Sequence, residues 1–215
     1  VPELPIADGG EGTCEALALA LGGEWREAVV SDPLGRPIPA RWLLLPDGRA
    51  VIEAAAAIGL PLLQTKERDP LQASSRGLGE LLLAALAASP TSVVVALGGT
   101  ATVDGGEGLR ECVRELPVPT VVLCDVRTRL ADAARLFGPQ KGASEEGVRQ
   151  LERRDRTQTL FTRVTAFAVN PSGRIGSGSA WTYEFTDLAV ERLYFWTVFS
   201  DGRIDPPEGP TPPFA

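Results

Sequence analysis

The stretch Val93–Gly108, VVVALGGTATVDGGEG, decides the fold, because it joins a continuous apolar run to a glycine-rich loop. Val93–Leu97 has no polar residue and is rich in valine, which predicts a strand buried on both faces of a sheet. The paired glycines that follow can adopt positive φ and let a ligand approach the peptide groups closely. A loop of this kind beyond a strand's carboxyl end suits phosphate or carboxylate oxygens, and a tight turn without a ligand is the alternative.

This loop supplies candidates for two roles. Asp104 is the candidate catalytic residue, since a carboxylate at such a crevice can accept a proton from a substrate hydroxyl or hold Mg²⁺. The alternative for Asp104 is an acid that only closes an Asx turn. The candidates for binding nucleotide phosphates, through hydroxyls and free backbone N–H groups, are Gly98, Gly99, Thr100, Thr102, Gly105 and Gly106.

The pentapeptide DGGEG occurs twice, at residues 8–12 and 104–108, each time after apolar residues and before a helical pattern. Two acidic glycine-rich loops facing one cleft would hold a metal–nucleotide and a hydroxylated substrate. Asp8 is therefore a candidate for binding substrate, and Glu11 is a candidate ligand of Mg²⁺. For both acids the alternative is a role confined to the turn and the first turn of the helix.

The composition is that of a globular protein with a net charge of −7 and 44% hydrophobic residues. The acidic balance argues against a nucleic-acid partner and an anionic membrane surface. Because there is neither a long apolar span nor an opening secretory pattern, we expect no membrane partner and a cytoplasmic location. Three cysteines without a CxxC pair, and no histidine, argue against zinc and against Ser-His-Asp or Cys-His catalysis within this chain.

Alternation of apolar strands with helical patterns predicts an α/β fold. We expect a mainly parallel sheet that contains Val93–Leu97 and Thr120–Cys124, with the leucine-rich segment Gly77–Ala88 packed on it as a helix. Turn residues between strand patterns predict an antiparallel meander within residues 24–60. Asp125, directly after the second buried strand, is a candidate Mg²⁺ ligand, and a cap of the next segment is the alternative.

The composition changes near residue 155, since ten of the thirteen aromatic residues lie in residues 151–215. Alternating segments and two turn sequences predict an antiparallel β segment at 155–215, following an α/β region at 1–154. The aromatic side chains of residues 155–215 would form an exposed apolar patch unless they pack against another surface. The α/β body would supply one, and so would a second copy in a homodimer.

Taken together and in order, several stretches resemble the bacterial glycerate kinase family that phosphorylates D-glycerate and has no Walker loop. The matching stretches are Pro5–Thr13, Asp32–Pro37, Val51–Leu60, Ser74–Leu82, Gly98–Gly108, Cys124–Val126 and Phe137–Ala143. They cover residues 5–143. The family's N-terminal lysine-containing segment has no match here, and residues 155–215 do not resemble the family's C-terminal part.

The resemblance implies two α/β domains, one flavodoxin-like and one inserted into it, with the meander of residues 24–60 in the inserted part and the active site between the domains. It also implies ATP and Mg²⁺, with D-glycerate as substrate and 2-phosphoglycerate as product. Arg76 could clamp the substrate carboxylate, and Lys141 could reach a phosphate. A surface charge is the alternative for each.

Two other functions stay open at this stage. One is a non-catalytic relative that binds glycerate or nucleotide, and the other is a structural or interaction protein. A dehydrogenase is disfavoured, because no GxGxxG pattern follows a strand with an acid about twenty residues further on.

Overall fold

The computed structural model describes residues 7–124, 126, 128, 130–155, 181–187, 192–198 and 204–205. Asp125 and the turns expected in the C-terminal segment therefore lie outside the described residues. The helices are α1 (Thr13–Leu21), α2 (Ala54–Ile58), α3 (Arg76–Ala87), α4 (Glu107–Cys112), α5 (Leu130–Phe137) and α6 (Glu145–Asp155). The strands are β1 (Glu24–Ser31), β2 (Pro37–Leu44), β3 (Arg49–Glu53), β4 (Ser92–Ala96), β5 (Thr120–Leu123), β6 (Trp181–Asp187), β7 (Arg192–Val198) and β8 (Ile204–Asp205). Over the described part of the chain, no helix has the length and apolar character that crossing a membrane requires.

Five strands form one sheet in the order β1-β2-β3-β4-β5. The pairs β3–β4 and β4–β5 are parallel, which confirms the α/β fold and the parallel pairing of the two apolar strands. The expectation of a mainly parallel sheet is wrong, because β1, β2 and β3 pair antiparallel within the same sheet. The tight turns between β1, β2 and β3 favour antiparallel hairpins. Strand β3 pairs antiparallel with β2 and parallel with β4, and Val51 and Ile52 in this central position are fully buried.

Each face of this sheet carries its own apolar core. Because side chains alternate along a strand, Val93 and Val95 of β4 point to one face and Val94 to the other. Helix α3 packs on the first face through Leu81, as the sequence predicted, and α1 packs on the second. The uninterrupted apolar run of β4 follows from this two-sided cover.

A second sheet contains β6, β7 and β8, which pair antiparallel in that order. The predicted antiparallel strands in the C-terminal segment are therefore present. The division of the chain into regions 1–154 and 155–215, with an inserted part at 24–60, stays a prediction.

We expect Leu81→Ala to lower the free energy of unfolding by about 2–5 kcal/mol, because it would leave a cavity between α3 and the sheet. Leu81 is fully buried, whereas Leu83 on the same helix is 47% exposed. The matched change Leu83→Ala should therefore stay within about 0.5 kcal/mol of the wild type. Urea denaturation followed by circular dichroism measures both variants, and equal losses would contradict the packing of α3.

Candidate active site

The two DGGEG loops form the same kind of turn. In the first, Asp8 Oδ1 accepts a hydrogen bond from the Gly10 N–H at 3.0 Å. In the second, Asp104 Oδ1 accepts one from the Gly106 N–H at 3.2 Å. The glycine after each aspartate has a positive φ, 90° at Gly9 and 61° at Gly105. The repeated sequence therefore encodes a repeated local structure, an Asx turn that leads into a helix.

The first loop lies over the carboxyl ends of β4 and β5. The Gly98 N–H donates to the Gly9 carbonyl at 2.9 Å. A Cβ atom on Gly98 would lie 2.5 Å from the Gly10 Cα, a distance that no side chain tolerates. The backbone of the first loop thus touches the start of the second, and the glycines allow this approach.

The second loop is fixed from its other side by the end of α2. The Leu60 N–H donates to the Gly99 carbonyl, and the Ala101 N–H donates to the Ile58 carbonyl, both at 2.8 Å. These bonds hold the candidate phosphate-binding residue Thr100 at the edge of the sheet where the parallel strands end. Ligands of open α/β sheets bind at this edge.

Asp104 is buried, with only 2% of its surface exposed. Its Oδ2 accepts hydrogen bonds from the N–H and the hydroxyl of Ser75, both at 2.7 Å, and from the Gly108 N–H at 3.2 Å. Together with the bond to Gly106, this geometry matches the Asx-turn alternative and makes the carboxylate an organising group of the loop. The role of Asp104 as a catalytic base stays a prediction.

Ser75 is a site residue that the sequence reasoning missed. Its hydroxyl donates to Asp104 and accepts from the Leu109 N–H at 2.9 Å. Serine before a helix predicts a cap, but the Ser75 side chain makes no capping bond to α3. No local signal in the sequence indicates a partner in a distant loop.

Lys141 reaches the second loop from a short 3₁₀ helix, Pro139–Lys141. Its Nζ donates to the Thr102 carbonyl at 2.7 Å and to Thr100 Oγ1 at 3.2 Å. Burial lowers the pKa of Lys141 to about 8, and the nearby charge of Asp104 opposes that shift. The structure therefore brings together the predicted residues Lys141, Thr100, Thr102 and Asp104.

Arg76 lies on the surface, where protein carboxylates already bind its guanidinium. It forms ion pairs with Glu80 and Glu111, each at 3.0 Å. This geometry matches the surface-charge alternative for Arg76. The side chains of Asp8 and Glu11 are exposed beside the first loop.

Glu53 is a second residue that the sequence reasoning missed. It ends β3 at the same edge of the sheet and accepts a hydrogen bond from the Cys14 N–H at 2.6 Å. The available signal was a single acid that directly follows the apolar residues 50–52. Burial is the main cause of its raised pKa, and the charges of Glu15 and Glu11 add to the shift.

Within the residues that the structure describes, no three His, Cys, Asp or Glu side chains are grouped closely enough to hold a metal ion. Mg²⁺ in phosphoryl-transfer sites is commonly held by one or two carboxylates together with the phosphates of the substrate. The exposed carboxylate of Glu11 fits such an ion, which would arrive with a nucleotide.

We expect Asp104→Asn to lower the free energy of unfolding by about 1–3 kcal/mol, because an amide NH₂ would face backbone donors that now have an acceptor. Asp8→Asn is the matched control, since the same turn is exposed there and the amide oxygen can still accept the Gly10 N–H. Chemical denaturation of both variants tests this, and an unaffected Asp104→Asn chain would contradict an organising role.

The stability that Lys141 confers should increase as the pH rises from about 8 to about 10.5. In this window the unfolded chain, with its ordinary lysine pKa, binds more protons than the folded chain, so rising pH favours folding. The measurement is the difference in unfolding free energy between wild type and Lys141→Met across the window. A difference that does not change with pH would contradict the burial of the ammonium.

Comparison with known proteins supports the resemblance seen in the sequence. The model of the family described as "Glycerate kinase family" matches residues 1–115. The glycerate 2-kinase of Escherichia coli K12 is 38% identical over 69% of this chain and 49% of its own length. The glycerate kinase of Bacillus subtilis 168 is 37% identical over 94% of this chain and 68% of its own length.

The alignment with the Bacillus relative covers 94% of this chain and therefore extends past residue 154. A crystal structure from Salmonella typhimurium LT2, described as a candidate glycerate kinase 2, has 33% sequence identity and a TM-score of 0.67. It matches 71% of this chain and 50% of its own chain. The chain spans about half the length of the Escherichia coli relative and of this solved structure. The family match, the relatives and the shared fold agree: this chain belongs to the glycerate kinase family.

Proposed function

We propose that this chain transfers the γ-phosphoryl group of ATP to D-glycerate and releases 2-phosphoglycerate. One observation carries the proposal: two glycine-rich loops meet at the carboxyl edge of the parallel strands, beside the ammonium of Lys141. Phosphoryl transfer requires little covalent chemistry from the protein, because catalysis comes mainly from positioning and from neutralising charge. Glycine-rich backbone and a cation supply both requirements.

Nucleotide phosphates would bind along the second loop, from Gly98 to Gly106. The donors would be the hydroxyls of Thr100 and Thr102 and the backbone N–H groups of Gly99 and Gly105. The predicted N–H groups of Gly98 and Gly106 already donate to the Gly9 carbonyl and to Asp104, so they could bind a phosphate only after releasing these acceptors. Lys141 already lies within hydrogen-bond distance of this loop, so its Nζ can exchange the Thr102 carbonyl for a phosphate oxygen. Partial burial strengthens that charge interaction relative to one in water.

Glycerate would bind at the first loop, whose exposed Asp8 can accept hydrogen bonds from the substrate hydroxyls. Arg76 can hold the substrate carboxylate only by giving up Glu111, with which it now forms an ion pair. Asp104 can act as a base only if a substrate hydroxyl reaches its buried Oδ1, because Oδ2 already accepts three hydrogen bonds from the chain. Glu11 and Asp125 are the carboxylates that would hold Mg²⁺, which would neutralise charge on the phosphates when bound.

A second candidate function is binding of glycerate or nucleotide without turnover. The observation that favours it is Asp104, whose carboxylate oxygens already accept hydrogen bonds from the chain itself. In that case the two loops would still bind anions, and no group would be free to take the proton from the substrate hydroxyl. A cytoplasmic location and a homodimer remain predictions.

An assay of ADP release with ATP, Mg²⁺ and D-glycerate separates the two candidates. A kinase releases ADP only when all three are present, and glycerol in place of D-glycerate should be inactive because it lacks the carboxylate. Calorimetric binding of glycerate or ATP without ADP release would establish the binder, and neither binding nor release would contradict both proposals.

In an active chain, Lys141→Met should lower kcat/KM by about 10- to 100-fold, which corresponds to the loss of one charge-assisted hydrogen bond. The chain offers a matched control, because Lys66 is its only other lysine and is exposed. Lys66→Met removes an equal charge and should leave kcat/KM within about twofold of wild type. Equal effects of the two changes would remove Lys141 from the site.

A further inference from the structure

We propose that Glu53 is a positioning residue, which fixes the first glycine-rich loop against the second so that both face one ligand. The inference rests on the proposed function for the identity of that ligand. Glu53 lies within Val51–Leu60, a stretch that resembles the family, but the sequence did not single it out as a site residue.

Glu53 lies where β3, the loop after β4 and the start of α1 come together at the carboxyl edge of the parallel strands. It is the last residue of β3, and its parallel neighbour β4 leads directly into the second loop. The exposed fraction of Glu53 is only 8%, so its carboxyl group is held among protein groups. A carboxylate is costly to bury unless donors surround it.

The donor comes from the start of α1, directly after the first loop. The Cys14 N–H donates to Glu53 Oε1 at 2.6 Å. This N–H belongs to the first turn of α1, into which the first DGGEG loop leads. At the start of a helix such groups lack partners within the helix, so an outside acceptor fixes where the helix begins.

The first loop is therefore held at two points. Gly9 and Gly10 are held against Gly98 by backbone contact, and Cys14 is held by Glu53. Glu11, the candidate Mg²⁺ ligand, lies between these two points. Fixing the segment on both sides of Glu11 limits where its carboxylate can lie, which is the kind of preorganisation that a binding site needs.

The charged neighbours of Glu53 are themselves acids, so the contact with the first turn of α1 is not an ion pair. Glu11 and Glu15 are the charged neighbours of Glu53 on the loop and α1, and their negative charges oppose its ionisation. Arg41 of β2 lines the same cavity and pairs with Glu15 at 3.7 Å. The acceptor geometry of Glu53, rather than its charge, explains the contact, so a neutral residue of the same shape should replace it.

Hydrogen exchange can report on this bond directly. A cavity of about 200 Å³ opens beside Glu53 and is also lined by Cys14, Trp25 and Arg41. Solvent therefore reaches the neighbourhood of the bond, and loss of the acceptor should appear as faster exchange of the amides it protects.

The experiment compares the full-length wild type with Glu53→Ala and Glu53→Gln by amide hydrogen exchange. We expect Glu53→Ala to speed exchange at Cys14 by about tenfold or more, because its backbone N–H loses its acceptor. Glu53→Gln keeps an amide oxygen in the same place and should restore exchange to within about threefold of wild type.

Glu80→Ala is the matched control for stability. Glu80 is likewise a carboxylate that accepts a backbone N–H from a distant strand, that of Ser31 at 2.7 Å. Its loss should speed exchange at Ser31 and leave exchange at Cys14 unchanged. If Glu53→Ala also leaves exchange at Cys14 unchanged, or if Glu53→Gln fails to restore the protection of this amide, the proposal is overturned.

Ligand binding completes the test through calorimetry with D-glycerate and with ATP and Mg²⁺. We expect Glu53→Ala to weaken binding at least tenfold more than Glu80→Ala at equal thermal stability, with recovery in Glu53→Gln. Unchanged binding by a Glu53→Ala chain with fast exchange would reduce Glu53 to a structural residue. A wild type that binds neither ligand counts against the proposed function, while the exchange comparison still decides whether Glu53 fixes the loop.

Discussion

The buried carboxylate of Asp104 is the interaction on which the edge of the sheet depends. It joins the loop after β4 to Ser75 at the start of α3, the helix that covers one face of the sheet. Through the Ser75 hydroxyl, the same network extends to the Leu109 N–H in α4. A buried charge that lost these donors would be strongly unfavourable, so the loop and both helices are constrained to one arrangement.

The charge of the buried Asp104 carboxylate also affects its neighbour Lys141. Lys141 is a cation drawn into a partly buried position, where burial lowers its pKa and the charge of Asp104 partly compensates. Among the described residues, no lysine or arginine side chain forms an ion pair with Glu53, whose charged neighbours are Glu11 and Glu15. One loop is thus associated with a cation and the other with carboxylates. A nucleotide bound with its metal needs both kinds of group.

Much of the fold could be predicted from the sequence, because continuous apolar runs such as Val93–Leu97 indicate burial on both faces. The mixed sheet could not, since periodicity reports how a strand is buried and does not report which strand lies beside it. The meander was identified correctly, but only the register of Val51 against both Leu43 and Val94 shows that it belongs to the same sheet.

At the site, too, the sequence indicated local features and did not indicate contacts between distant segments. The DGGEG repeat and the loop after β4 were visible because glycines and acids at that spacing have few other uses. Ser75 and Glu53 were not visible, because each acts through a partner far away in the chain: Asp104 for Ser75 and Cys14 for Glu53. A hydrogen bond of this kind depends on the fold and leaves no local pattern in either segment.

The mixed sheet also has a kinetic consequence. Strands β1, β2 and β3 are joined by short turns, so their pairing closes small loops and costs little chain entropy. Pairing β3 with β4 closes the whole of residues 54–91, and pairing β4 with β5 closes residues 97–119. Contacts of such long sequence separation slow folding, so the rate at which the chain matures is set by its parallel half. The edge where the two glycine-rich loops meet exists only once that slower half has closed.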